Sequence, residues 1–173
     1  MNKIYVGIGS RETPIFVLEL MMDVAYGLAL KGYELRSGGA DGSDKYFELG
    51  CDRGKGKKNI FLPWRLFSGN NSKLHKVSEE ALEMAKKYHP VWDKLSQGAK
   101  KLMGRNTYQV LGLDLKTPCD FIICWTKNGK KVGGTAQALR MAEDYNIPVF
   151  NFGCYKTKEE MIKEFKIFIK QFC

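Results

Sequence analysis

Histidine is almost absent from this 173-residue chain. Only His75 and His89 occur, both in a polar stretch with helical spacing, which places them on a surface rather than in catalysis. The five cysteines (Cys51, Cys119, Cys124, Cys154 and Cys173) form no CxxC pair and have no histidine nearby. That spacing argues against a structural metal site and reads as free thiols, many of them filling the core. No Ser-His-Asp set, Cys-His pair or P-loop lysine pattern is visible, so the common hydrolase and NTPase signatures are missing. No cofactor and no metal is expected. No apolar run is long enough to cross a bilayer. The chain passes from Lys3 directly into a strand-like run and glycines, unlike a secretory leader, so a cytosolic setting is expected. There is no internal repeat, low-complexity tract or linker.

Glycine is plentiful, with 18 residues, and so is positive charge, with 28 Lys and Arg against 19 Asp and Glu for a net +9. The charge favours anionic partners such as nucleotides, nucleic acid or phosphate esters, although lysines on exposed helix faces also account for much of it. Basic residues cluster at 53–58, which reads as a solvated helix-to-strand turn, and at 127–131, just ahead of Gly133. The glycines fall where short apolar runs end. Ile4-Tyr5-Val6 enters Gly7-Ile8-Gly9-Ser10-Arg11. Tyr33-Glu34-Leu35-Arg36 enters Ser37-Gly38-Gly39-Ala40-Asp41-Gly42-Ser43-Asp44. Phe121 to Trp125 leads to Gly133-Gly134-Thr135, and Ile147 to Phe150 reaches Asn151-Phe152-Gly153. A strand that stops at glycine and hands over to a helix leaves backbone N–H groups open to phosphate.

Strand and helix patterns alternate, which predicts an α/β fold: a single Rossmann-like domain, mainly a parallel sheet of about five strands with helices on both faces. Strands are expected near 3–8, 33–37, 59–62, 120–125 and 147–150. Helices are expected from Pro14, from Ala40 to Cys51 with Asp41 as a possible cap, from 133 to 145 and from 157 to 171. Between strands three and four lies a helical insertion, about 65–115. It begins with an irregular loop at 65–72. One helix follows, carrying Leu74, Val77, Ala81, Ala85 and Tyr88, and a second spans Val91 to Leu111. The domain covers residues 1–173.

In an open parallel sheet, ligands bind beyond the carboxyl ends of the strands at the switch point. The first three glycine turns lie at that edge; the fourth reads as a plain turn. Gly9-Ser10-Arg11 offers a hydroxyl and a guanidinium beside open amides, though Arg11 could instead pair with Glu12 or Asp41. At Ser37-Gly38-Gly39, small residues let the following helix approach closely, and Asp41 or Asp44 could receive ribose hydroxyls. Gly133-Gly134-Thr135 opens a helix suited to phosphate. Arg105 could reach over the same edge, and Trp64 or Trp125 could stack on a base or merely pack. No carboxylate has a spacing that marks it as catalytic; Asp44 and Glu48, with Arg105, are the weak candidates.

Gly9-Ser10-Arg11, Ser37-Gly38-Gly39-Ala40-Asp41-Gly42, Arg105-Asn106 and Gly133-Gly134-Thr135, in that order, resemble the superfamily that groups the DNA-processing protein DprA (Smf) with the LOG phosphoribohydrolases. The resemblance spans residues 3–151, and short stand-alone chains of this kind are similar to DprA-like proteins carried by bacteriophages. It implies strand-end glycines that bind a nucleotide-type ligand, a bacterial or phage-infected cytoplasm, and a homo-oligomer formed through helices. LOG enzymes use a glutamate two residues after the threonine of their Pro-Gly-Gly-x-Gly-Thr segment. Here Gln137 stands at that position and Val132 replaces the proline, so LOG-type hydrolysis is not carried over. The expected function is binding of a nucleotide or nucleotide-derived ligand, with a signalling nucleotide as one option. The alternatives are DprA-like single-stranded DNA binding and a nucleoside-monophosphate N-glycosidase.

Overall fold

The computed structural model describes residues 2–173. Five short strands, β1 (Ile4–Gly7), β2 (Glu34–Ser37), β3 (Lys58–Ile60), β4 (Phe121–Cys124) and β5 (Val149–Asn151), form one sheet in the order β3-β2-β1-β4-β5. All four pairings are parallel, with Tyr5 opposite both Leu35 and Phe121. Every residue of β1 and β4 is buried, as a parallel sheet covered on both faces requires. Alternation sends Tyr5, Leu35, Phe121 and Ile123 into one core and Ile4, Val6, Ile122 and Cys124 into the other.

The helices are α1 (Ile15–Leu30), α2 (Ser43–Arg53), α3 (Glu79–Tyr88), α4 (Gln97–Leu111), α5 (Thr135–Asp144) and α6 (Lys158–Ile169). The first core packs against α1, α2 and α6, and the second against α4 and α5. Pro14 precedes the first turn of α1, where its missing N–H costs no hydrogen bond. The α1–α2 contact is very close: a Cβ on Gly50 would lie 2.1 Å from the Met22 carbonyl oxygen. The chain leaves β1 toward β2 and β3, then crosses back to β4 and β5. The switch point therefore lies between β1 and β4, and their carboxyl ends open a crevice there.

Local structure departs from expectation at three places. The α2 helix starts at Ser43, with Gly42 rather than Asp41 at its cap, and Asp41 is exposed. Positive φ at Gly39 and Gly42, +68° and +87°, carries the chain through a turn that disfavours side chains. In the 61–120 segment, Leu74 and Val77 precede α3 instead of joining it. Leu74 bridges Phe61, and the Ser78 hydroxyl caps the helix by accepting from the Ala81 amide. Val91 to Leu95 forms only a 3-10 turn, and α4 begins after Ser96, which caps it by accepting from Ala99. In both cases a serine cap overrides a hydrophobic period that continues past it. The 65–72 loop contains a 3-10 turn at Phe67–Gly69.

Candidate functional site

At the switch point lies a cavity of about 440 Å³. Its polar wall comes from four elements. The β1–α1 turn brings Gly9, Ser10 and Arg11; α2 brings Asp44; α4 brings Arg105, Asn106 and Gln109; the start of α5 brings Gly134 and Thr135. Ile8, Ala40, Phe67, Leu102 and Met103 supply the apolar wall.

The β1–α1 turn is pinned from both sides. The Ser10 amide donates to the Trp125 carbonyl at 3.1 Å. The Thr13 hydroxyl donates to the Ser10 carbonyl at 2.6 Å and lies 2.8 Å from the Ser43 hydroxyl, which ties the turn to α2. The Ser10 hydroxyl accepts from the Glu12 amide and keeps its own proton available. Arg11 is exposed and pairs with neither Glu12 nor Asp41 among the described residues.

Arg105 is 5% exposed, unlike an ordinary helical arginine. Its guanidinium donates to the carbonyls of Gly38 and, at 3.0 Å, Phe61, while Nε donates to Asn106 Oδ1. It also lies 5.5 Å from the centre of the Phe67 ring. Burial lowers its pKa to about 10 against the opposing pull of Asp44, and Arg11 pushes in the same direction as burial. Asp44, also 5% exposed, is raised by burial to about 6. Arg105 and the amides of Ala40, Gly38 and Gly9 hold it from rising further. The two charges form no direct ion pair among the described residues. Both are held in their less favoured environment, a condition that functional sites share.

Gly38 is the hinge of this arrangement: a Cβ there would lie 2.4 Å from Gln109 Nε2, 2.5 Å from Arg105 Nη1 and 2.7 Å from Asp44 Oδ2. The absence of a side chain here lets the tips of three polar side chains converge on the backbone; a Cβ would displace them. Asn106 donates to the Gly134 carbonyl at 3.1 Å and holds the start of α5 against α4. Gly134 and Thr135 line the cavity, which sets the positive end of the α5 helix beside it.

The structure brings together Gly9, Ser10, Arg11, Asp44, Arg105, Gly134 and Thr135 in this cavity. Gly38 stands directly behind it. The remaining sequence candidates lie elsewhere. The buried Ser37 hydroxyl donates to the Gly7 carbonyl and joins two strands. Gly39 and Asp41 border a smaller hollow, of about 200 Å³, beside Lys45 and Glu48. Glu48 is engaged by Lys58 and Asn70. Gly133 is exposed at φ +68°, with open space around it. Trp125 lines a separate cleft on the far side of the β1–α1 turn. Trp64 packs edge-on to Phe67, its ring centre 5.3 Å away. Lys131, in the second basic cluster, pairs with Glu143. In the fourth glycine turn, Asn151 clamps Thr126 and the Gly153 amide, a structural role.

Gln109 was not among the sequence candidates, and Asn106 entered only as part of the Arg105-Asn106 motif. Gln109 lies one helical turn after Arg105, so the i, i+4 spacing carried the signal. Phe67 carried none, because it reaches the cavity from an irregular loop.

Gln137 does not line the cavity. It is fully buried, donates to the Ala85 carbonyl at 2.8 Å and accepts from Arg140, and so links α5 to α3. Gln137→Glu is expected to weaken that link by about 1 kcal/mol or more, visible as a lower urea midpoint. The variant is expected to release no free base from nucleoside monophosphates. Base release by this variant would mean that residue 137 reaches the ligand after all.

No protein-family model matches this sequence, and no curated protein matches it in a sequence search. Solved structures do share the fold. DNA processing protein A from Helicobacter pylori, studied for its single-stranded DNA binding mode, aligns with TM-score 0.58 and 21% identity over 87% of this chain and 65% of its own. The molybdenum cofactor carrier protein of Chlamydomonas reinhardtii aligns with TM-score 0.53 and 16% identity over 95% of this chain and 83% of its own. DprA from Streptococcus pneumoniae aligns with TM-score 0.53 and 18% identity over 87% and 50%. This chain thus spans about two thirds of the first protein and half of the third. It has the Rossmann-like α/β fold of the DprA and cofactor-carrier proteins, and at these identities the likeness is one of fold. No helix among the described residues is long and apolar enough to cross a membrane.

Proposed function

We propose that this protein binds a nucleotide or nucleotide-derived ligand in the switch-point cavity without LOG-type cleavage. The observation that carries the reading is the convergence of buried Arg105 and Asp44, exposed Arg11 and the α5 N-terminus on one cavity of about 440 Å³. Arg11, Arg105 and the α5 amides suit a phosphate. Asp44 and Gln109 suit ribose hydroxyls or a base edge. The volume of the site, with two buried charged side chains in its lining, suits a small molecule. Against LOG-type cleavage stands Gln137, whose amide is used between α5 and α3. Asp44 is the only carboxylate in the cavity lining.

Single-stranded DNA is the second reading, favoured by the net charge of +9 and by the fold shared with DprA. One calorimetric series separates the two. Nucleoside phosphates, NAD, ADP-ribose and cyclic dinucleotides are titrated beside oligonucleotides at several salt concentrations. Saturable binding of a panel member, lost in Arg11→Ala, is the expected result. Silence across the small molecules, with oligonucleotide affinity falling steeply as salt rises, would transfer the assignment to DNA.

A further inference from the structure

A second cleft, of about 610 Å³, opens on the other side of the β1–α1 turn. It lies at the same carboxyl edge, between the first turn of α1 and the segments that follow β4 and β5. Its walls hold three aromatic side chains: Phe16, 40% exposed, and the half-buried Trp125 and Tyr155. Tyr155 is held in place by stacking on Phe150, ring centres 5.5 Å apart and 20° between planes. Lys127 and Lys156 stand at the rim, exposed and in no ion pair among the described residues. Glu12 is the single carboxylate.

The first cavity lacks what this cleft has. Its only aromatic residue is Phe67, 6% exposed and already covered by the Arg105 guanidinium. It offers charge and hydrogen bonds but no free ring face. The β1–α1 turn borders both hollows and forms the wall between them: Ser10 and Arg11 line the first, Glu12 lines the second, and the Ser10 amide is bonded to the carbonyl of Trp125. Exposed Arg11 stands on that wall.

We propose that this aromatic cleft is a second base-binding subsite, so that the ligand is a dinucleotide whose linking phosphates cross the wall at Ser10 and Arg11. The inference rests on the nucleotide reading above. One nucleoside lies against Asp44 and Gln109. The other stacks its base among Phe16, Trp125 and Tyr155, with Lys127 and Lys156 balancing the phosphate charge.

The test is calorimetry with AMP, NAD and cyclic di-AMP on the wild type and on the Phe16→Ala and Trp125→Ala variants, with a ladder of thymidylate oligonucleotides alongside. At least one dinucleotide is expected to bind about tenfold tighter than AMP, the contribution of one stacked base. Each variant is expected to bring that ratio close to one. Phe16 is exposed, so its replacement leaves the core intact and keeps the result interpretable even if Trp125→Ala fails to fold. Equal affinity for AMP and both dinucleotides, or a ratio untouched by Phe16→Ala, overturns the proposal while leaving the first site standing. Thymidylate affinity that keeps climbing beyond two nucleotides overturns it in favour of a strand. If AMP and both dinucleotides all fail to bind, the nucleotide reading itself falls.

Discussion

Arg105→Ala is expected to lower stability by about 3 kcal/mol and to reduce affinity for a phosphate-bearing ligand at least hundredfold. The stability loss has two parts. The guanidinium satisfies the carbonyls of Gly38 and Phe61 and the Asn106 side chain, and alanine leaves all three acceptors without this donor. It also leaves Asp44 without the cation that restrains its pKa. Part of this loss is offset, because burial already disfavours the Arg105 charge, which keeps the figure near the low end of what three buried acceptors left without a donor would cost. Urea denaturation at neutral pH checks it: the midpoint falls while the slope stays constant. Arg105→Lys should recover less than half of the loss, since an ammonium is a point charge and cannot span two carbonyls and an amide as the planar fork does. A wild-type midpoint for Arg105→Ala would mean that the guanidinium does not tie β2, β3 and α4 together.

Asp44 dominates the expected pH dependence. Its pKa is raised from 3.8 to about 6, chiefly by burial. Between about pH 4 and pH 6 the folded protein therefore keeps a proton at Asp44 that the unfolded chain has released. Stability from this group falls as pH rises through that window and levels off above it. At 1.36 kcal/mol per pH unit the fall amounts to about 3 kcal/mol. Other carboxylates titrate in the same range, so the measurement is a difference between wild type and Asp44→Asn. The variant, neutral at every pH, is expected to lack that component of the slope. Identical pH profiles would show that Asp44 is effectively solvated. The same linkage makes an anionic ligand bind more tightly as pH falls from 7 to 5, because a protonated Asp44 no longer repels it.

These two residues mark the limit of what local pattern reveals. Each strand was legible to within two residues because apolar runs ending at glycine leave little choice of element. The parallel sheet followed from their alternation with helices. The 61–120 segment was less legible: apolar spacing at Leu74, Val77 and Val91 continues past the Ser78 and Ser96 caps, and capping is a competition that periodicity does not register. Asp41 and Asp44 looked equivalent in sequence, three residues apart beside the same glycines. Only Asp44 faces inward, because Gly42 caps α2 and turns Asp41 to solvent.

By itself the sequence determined the fold class and most of the turns that meet at the carboxyl edge of the sheet, since these depend on residues close together in the chain. Tertiary structure alone decided which side chains share a cavity. Helix α4 carries Arg105, 67 residues beyond Gly38 in the chain, under that glycine and buries it beside Asp44. The same packing draws Gln137 away to α3 and puts Trp125 behind the β1–α1 turn. Burial and the charge it perturbs arise from contacts distant in sequence, and no local pattern encodes them.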